Sequence, residues 1–148
     1  MNPSSPYSAS KAAAEMFCLS NIKTHKQPII ITRSSNNYGP YQFPEKVIPL
    51  FVTHLLQGKR VPVYGTGKNI RDWIYVTDNC EAIDFIIHHG KIGEAYNIGG
   101  GNEIANLELT QSILRGTGFG DEMMEFVADR PGHDFRYSLD SSKIKNLG

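Results

Sequence analysis

Apolar residues recur with a helical period near the start of the chain and again in three later segments. In residues 4–25, Ala12, Met16, Leu19 and Ile22 stand three or four positions apart, which predicts a helix with a buried stripe. An early proline, followed by Ala, Lys, Glu and Met, favours a helix start there. Further helices are predicted over residues 45–58, 77–90 and 105–118.

Short runs of β-branched and aromatic residues between these helices predict strands. Residues 29–33 are typical of a buried strand, and residues 34–44, "SSNNYGPYQFP", of a polar and aromatic loop. Residues 61–76 predict a strand, a glycine turn and a second strand, and a short strand precedes the glycines at positions 99–101. Residues 124–140 predict a strand followed by a polar loop. The alternation indicates an α/β fold with at least some parallel pairing.

The charge balance and the cysteines narrow the range of functions. The 148 residues carry 15 Lys+Arg against 15 Asp+Glu, so no net charge favours nucleic acid or an anionic membrane as a partner. No apolar run reaches the ~18 residues that span a bilayer, and no signal peptide is evident, so we expect a cytoplasmic protein. We expect Cys18 and Cys80 to be buried reduced thiols, and no residues have the spacing of a metal site.

A tyrosine and a lysine four residues apart stand in the first predicted helix. Tyr7 and Lys11 would be neighbours on one helical face, and an ammonium beside a phenol favours the phenolate. Such a tyrosine can take a proton from a substrate hydroxyl. The spacing alone is weak, because Tyr64 and Lys68 share it across a glycine turn, and an ordinary surface pair stays an alternative.

Arginine, histidine and amide side chains occur at predicted strand ends and loops, where α/β folds bind ligands. The guanidinium groups of Arg71 and Arg130 suit phosphate oxygens, although surface ion pairs are the alternative. The paired asparagines and the aromatics of residues 34–44 suit a polar, ring-bearing ligand, unless this loop simply packs on the core. No glycine run in the chain has the spacing of a dinucleotide-binding loop.

Five sequence blocks, in order, resemble the C-terminal half of the extended short-chain dehydrogenase/reductases, and more narrowly the dTDP-glucose 4,6-dehydratase family. They are "PYSASKAAAE", "TRSSNNYGPYQFPEKVIPLF", "VPVYGTGKNIRDWIYVTD", "AYNIGGGNEIANLEL" and "DRPGHDFRYSLDSSKI". The resemblance implies part of a Rossmann-like doubly wound sheet with a small substrate-binding α/β lobe. Residues 1–40 would end the NAD-binding region, and residues 41–148 would mostly form the nucleotide-sugar lobe.

The resemblance also implies roles for individual residues. Tyr7 would be the catalytic base acting on the sugar 4-hydroxyl, Lys11 would activate it and bind the nicotinamide ribose, and Asn37 would contact NAD. The other matching positions would bind the nucleotide sugar: Asn36, Lys46, Val47, Val61, Pro62, Val63, Arg71, Asn97, Arg130 and His133.

Two parts of the family pattern have no counterpart here: the glycine-rich NAD loop and the acid/base pair that eliminates water. We therefore expect a partial enzyme, cut at both ends, that is inactive alone. The alternatives are a non-catalytic nucleotide-sugar-binding fragment, a split-gene half completed by a separate N-terminal chain, or a related nucleotide-sugar epimerase or dehydratase. The family resemblance also implies a homodimer that uses the Tyr-Lys helix.

Overall fold

The structure is a computed structural model that describes residues 3–148, and it is a mixed α/β fold, as the sequence pattern predicts. The helices are α1 (Pro6–His25), α2 (Val47–Leu56), α3 (Val76–His89), α4 (Asn106–Thr117) and the short α5 (Ser142–Lys145), with a 3₁₀ turn at Asp121–Met123. Within this part of the chain, no helix is both long and apolar enough to cross a membrane.

Eight short strands form three small sheets in the described part of the chain. The strands are β1 (Ile31–Ser34), β2 (Asn36–Tyr38), β3 (Val61–Tyr64), β4 (Ile70–Tyr75), β5 (Ala95–Ile98), β6 (Glu103–Ala105), β7 (Met124–Val127) and β8 (Arg136–Tyr137). Strands β1 and β5 pair in parallel, as do β3 and β7. Strand β4 pairs in parallel with β2 and β8 and antiparallel with β6. The predicted parallel pairing is thus confirmed.

Two apolar clusters hold these sheets to the helices. The first joins α2, β3 and α4 through the buried side chains of Phe51, Leu55, Val61 and Leu114. The second joins β4, α3 and β5 through Ile74, Ile86, Tyr96 and Ile98. Helices α2, α3 and α4 thus pack an apolar face on strands, which is the usual arrangement of α/β layers.

The predicted buried stripe of α1 is wrong. Met16 and Leu19 are exposed, Phe17 is 74% exposed, and none of the residues of α1 is buried. The start of the helix is fixed by local capping instead, because the Ser5 hydroxyl accepts a hydrogen bond from the Ser8 amide. The helix is tethered to β1 by two hydrogen bonds between the Glu15 carboxylate and the Arg33 guanidinium. The regular apolar period therefore predicted the helix, but it did not predict that the apolar residues of the helix are exposed.

Four further expectations are corrected. Strand β1 is half-exposed rather than buried, and it begins at Ile31. Residues 36–38 form strand β2 rather than loop, because their backbone pairs with β4. The cysteines are not both buried, since Cys80 is exposed on α3 and Cys18 is only partly covered. The polar loop expected after β7 includes the two-residue strand β8.

Candidate functional site

A cavity of about 660 Å³ lies between α2, β3, β4 and the segments 36–46 and 130–133. Its volume falls in the range of small-molecule sites. The apolar part of the wall comes from α2 and β3, whose other side chains fill the first core cluster. The polar part comes from strands β2 and β4 and from the loop that follows β7. The cavity therefore has a rigid apolar wall facing a polar one.

Nine of the residues predicted from sequence to bind cofactor or nucleotide sugar line this one cavity. They are Asn36, Asn37, Lys46, Val47, Pro62, Val63, Arg71, Arg130 and His133. They come from segments up to about a hundred positions apart, so the fold brings together what the sequence spreads over most of its length.

The side chains that line the cavity carry more positive than negative charge. Lys46, Arg71 and Arg130 line it, against the single carboxylate of Glu45. Within residues 3–148, none of these three cations is part of a salt bridge. The chain as a whole is neutral, so the excess positive charge is local. Unpaired cations in a concave site favour an anionic ligand.

Arg71 is the most constrained of these cations. It lies on the central strand β4, and its guanidinium donates to the carbonyl oxygens of Ile70 (2.7 Å) and Asp134 (2.8 Å). Burial lowers the pKa of the Arg71 guanidinium, nearby Arg130 lowers it further, and Asp134 and Tyr137 partly offset this. A half-buried cation held by neutral carbonyls keeps N–H donors for a ligand.

Arg130 and His133 are brought to the cavity by a tight turn. Pro131 and Gly132 are its central residues, Gly132 has φ +68°, and the His133 amide donates to the Arg130 carbonyl (3.2 Å). These features are those of a type II turn, which needs a residue that tolerates positive φ at its third position. The sequence "RPGH" therefore places an arginine and a histidine side by side. The Arg130 guanidinium stacks over the Tyr64 ring at 5.0 Å.

Three buried polar atoms of the lining residues have no hydrogen-bond partner among the described residues. They are Asn37 Oδ1, Gln42 Oε1 and Trp73 Nε1. The amide nitrogens of Asn37 and Gln42 are used, since they donate to the backbone oxygens of Ser35 (3.1 Å) and Asn37 (2.9 Å). These bonds fix both side chains with their oxygens unpartnered. Leaving such atoms unpaired is costly, so the wall has unused capacity to bind polar groups.

Two predicted ligand contacts lie outside the cavity lining. Val61 is 0% exposed and belongs to the first core cluster, so its side chain supports the wall from behind. Asn97 lies on β5, where its amide group donates to the Asp140 carbonyl (3.0 Å) and accepts from Arg33 (3.3 Å). Its polar atoms therefore already join β5 to β1 and to the segment before α5.

Tyr7 and Lys11 also lie outside the cavity lining. Both are in the first turns of α1, with the four-residue spacing that makes them neighbours on a helix. Tyr7 is 72% exposed, and Lys11 is exposed as well. The described residues give neither side chain a hydrogen-bond partner, so the pair is free to meet a ligand that the rest of the chain does not enclose.

Several lining residues were missed from the sequence. They are Gln42, Phe43, Glu45, Leu50, Phe51, Tyr64, Trp73, Asn106 and Thr110. A signal existed for some of them, because Gln42 and Phe43 belong to the polar and aromatic segment and Trp73 follows Arg71 by two positions along one strand. Nothing comparable marked Asn106 or Thr110, whose approach to the cavity depends on how α4 packs.

Comparison with known proteins decides the family. The family model described as "NAD dependent epimerase/dehydratase family" matches residues 1–99. The chain belongs to this family. It is 52% identical over 143 residues to a dTDP-glucose 4,6-dehydratase of Streptomyces niveus, covering 97% of this chain and 43% of that protein. The chain thus spans about half the length of the curated relatives it matches.

Solved structures of this epimerase/dehydratase family share the fold. The dTDP-glucose 4,6-dehydratase of Bacillus anthracis, in complex with NAD, matches with a TM-score of 0.93 and 52% identity over 99% of this chain and 47% of that one. The UDP-glucuronic acid 4-epimerase of Bacillus cereus, in complex with UDP-glucuronic acid and NAD, also has a TM-score of 0.93, at 28% identity, covering 99% and 47%. The resemblance deduced from the sequence blocks is confirmed.

Proposed function

We propose that this chain is the nucleotide-sugar-binding part of a dTDP-glucose 4,6-dehydratase, which converts dTDP-glucose to dTDP-4-keto-6-deoxyglucose. The observation that carries the proposal is the cavity lined by Lys46, Arg71 and Arg130, three cations outside any salt bridge among the described residues. A nucleoside diphosphate would supply the anionic partner that these cations do not have among the described residues. The higher identity to a dehydratase than to an epimerase of the same fold supports the substrate.

The proposal divides the ligand between the two faces of the cavity. The diphosphate lies against Arg71 and Arg130, where guanidinium forks suit phosphate oxygens. The nucleoside ring packs on the apolar wall beside Val63 and Tyr64, and Asn36 binds the sugar. Val61 and Asn97, although predicted to touch ligand, would act by supporting the wall and the neighbouring strand.

NAD is the proposed cofactor, and the residues present fit one end of it. Asn37, in the middle of β2, has a buried side-chain oxygen without a hydrogen-bond partner among the described residues, and Tyr7 and Lys11, which are exposed on α1, would contact the nicotinamide ribose. When bound, NAD would supply hydride transfer; the part of Tyr7 would be to take the proton from the sugar 4-hydroxyl. No G-x-G-x-x-G sequence occurs in these 148 residues to hold the pyrophosphate.

The isolated chain would bind the nucleotide sugar without converting it. The catalytic pair lies outside the cavity that would hold the sugar, and misplacement by ~1 Å can cost about 100-fold in rate. The proposal also divides the chain into the last part of a cofactor-binding region (residues 1–40) and a segment that mostly forms the nucleotide-sugar lobe (residues 41–148). A homodimer through α1 is proposed because the apolar side chains of Met16, Phe17 and Leu19 are exposed there.

The test separates binding from catalysis. Calorimetric titration of the purified chain with dTDP-glucose should show saturable binding, while incubation with NAD should yield no 4-keto-6-deoxy sugar. Activity restored by a separately expressed N-terminal half of a relative would favour a split enzyme, and binding without restoration would favour a binding module. Absence of binding, with the chain folded, would refute the proposed function.

A further inference from the structure

Three side chains after strand β7 form a hydrogen-bonded series that ends at the cavity. The Asp129 carboxylate oxygen Oδ1 lies 2.6 Å from His133 Nδ1, and His133 Nε2 lies 3.1 Å from a terminal nitrogen of Arg130. Arg130 and His133 both line the cavity, and the His133 side chain is only 6% exposed. Asp129 does not line the cavity, so its hydrogen-bonded connection to a ligand would pass through the other two.

The donor and acceptor rules fix where the imidazole proton lies. A guanidinium has only N–H donors, so Nε2 must be the acceptor of the bond from Arg130. An ionised carboxylate only accepts, so Nδ1 must carry the proton that points at Asp129. The two bonds are compatible only with the neutral tautomer protonated on Nδ1. The tautomer of a histidine is set by the bond that its other nitrogen makes.

We propose that Asp129 is a positioning residue: it holds His133 in the tautomer that accepts from Arg130 and thereby aims the Arg130 guanidinium at the diphosphate of the ligand. The inference rests on the proposed function for the identity of the ligand. It adds Asp129 to the residues on which binding depends.

The position of Asp129 is fixed by the sheet rather than by the turn alone. The Gly65 amide donates to the Val127 carbonyl (2.9 Å), which continues the pairing of β3 with β7 up to two residues before Asp129. A Cβ on Gly65 would lie 3.0 Å from Asp129 Oδ2, so the carboxylate occupies the space that a side chain would need. The amide of Arg130 also donates to Asp129 Oδ1 (2.8 Å). Asp129 is therefore anchored independently of any ligand.

One further contact holds the opposite end of the series. The Arg130 guanidinium lies over the Tyr64 ring, 5.0 Å from its centroid, and Tyr64 itself lines the cavity. A cation over an aromatic face is held by electrostatic attraction to the ring, which does not by itself fix the direction of each N–H group. The hydrogen bond to His133 supplies the missing direction, which is why the tautomer matters for binding.

The first experiment measures the tautomer directly. Nitrogen-15 NMR of imidazole-labelled chain at about pH 8, where an ordinary imidazole is neutral, distinguishes a protonated Nδ1 from a protonated Nε2. The wild-type chain should show His133 protonated on Nδ1. Asp129→Ala should move population to the Nε2-protonated form, and Asp129→Asn should lie between them because its amide oxygen still accepts from Nδ1. An unchanged tautomer in Asp129→Ala would overturn the proposal.

The second experiment is a double-mutant cycle on dTDP affinity, read from the fluorescence of Trp73. Trp73 is the only tryptophan of the chain and lines the cavity. Asp129→Ala should weaken dTDP binding roughly tenfold, the weight of one oriented hydrogen bond to a charged group. In an Arg130→Ala background it should weaken binding no further, within about twofold, because its effect passes through Arg130.

The matched control is Asp84→Ala on α3. Asp84 also faces a histidine four positions later, His88, at 3.7 Å, and it does not line the cavity. This variant should bind dTDP like the wild type. Unchanged affinity in Asp129→Ala, or equal weakening in the Arg130→Ala background, would overturn the proposal. If the wild-type chain binds no dTDP, the proposed function fails, and the tautomer measurement alone still decides whether Asp129 sets the state of His133.

Discussion

Replacing Arg71 by alanine removes the cation that the fold holds most firmly at the cavity wall. Two of its five N–H donors bond to the Ile70 and Asp134 carbonyls, which leaves three for a ligand. Arg71 is joined to no carboxylate by a salt bridge within residues 3–148. Burial lowers the pKa of the Arg71 guanidinium because it destabilises the charged form. An anionic ligand would offset this destabilisation.

The expected loss of affinity follows from the bonds that Arg71 can make. A hydrogen bond to a charged group contributes about 1.5–3 kcal/mol, and the half-buried position permits one or two such bonds to a diphosphate. Counting one strong bond and part of a second gives about 3 kcal/mol. This corresponds to roughly 100-fold weaker binding of dTDP by Arg71→Ala.

The assay is a titration with dTDP followed by the fluorescence of Trp73, which lies two residues from Arg71 on β4. The matched control is Arg115→Ala on α4, which removes the same charge from an exposed site that does not line the cavity. Arg115→Ala should bind like the wild type. An Arg71→Ala affinity within about threefold of both would refute the assignment of the diphosphate to this wall.

Three further predictions concern the fold and its surface. Hydrogen bonds from Arg136 and then Ser138 lower the pKa of Glu103 to about 2 from its ordinary 4.5, so the stabilisation is present above pH 4.5 and is lost as pH falls toward 2. Urea midpoints of Glu103→Gln should therefore lie below those of the wild type at pH 7 and converge with them at low pH; a constant difference would contradict this. Leu114→Ala opens a cavity in the first core cluster and should cost about 3 kcal/mol of unfolding free energy, against a change near zero at exposed Leu56→Ala. Phe17→Glu should convert the proposed dimer to monomer in sedimentation velocity, and a wild-type monomer would contradict the dimer.

The sequence led to half of the residues that line the candidate site, by two routes: the chemistry of the residue types indicated the arginines and the asparagine-rich segment, and the family resemblance implied the other lining positions that were predicted. Arg71 and Arg130 were predicted from their suitability for phosphate, whereas the turn at "RPGH" was not predicted, although its proline and glycine are typical of a type II turn. The helices were predicted by period, including α2 with Pro49 in its first turn, where the missing amide has no partner to lose.

What the sequence could not supply was long-range pairing. Strand β2 is three residues long and exists because β4, more than thirty positions later, aligns Asn36 with Trp73. The period of α1 indicated a helix but not its exposure, since the same stripe can face a core or another chain. Asp129 gave no signal either, because its role depends on the distances to His133 and Gly65 rather than on residue type.

The most direct test of the account locates bound ligand on the folded chain. Amide resonances recorded during a titration with dTDP-glucose should shift, with saturation, for Asn36, Val63, Arg71 and Arg130 around the cavity. Those of exposed Phe17 on α1 and Cys80 on α3 should stay in place. Saturable shifts confined to the cavity are the predicted result. Shifts absent from the cavity, or spread over α1 and α3 instead, would contradict the proposal that this cavity binds the nucleotide sugar.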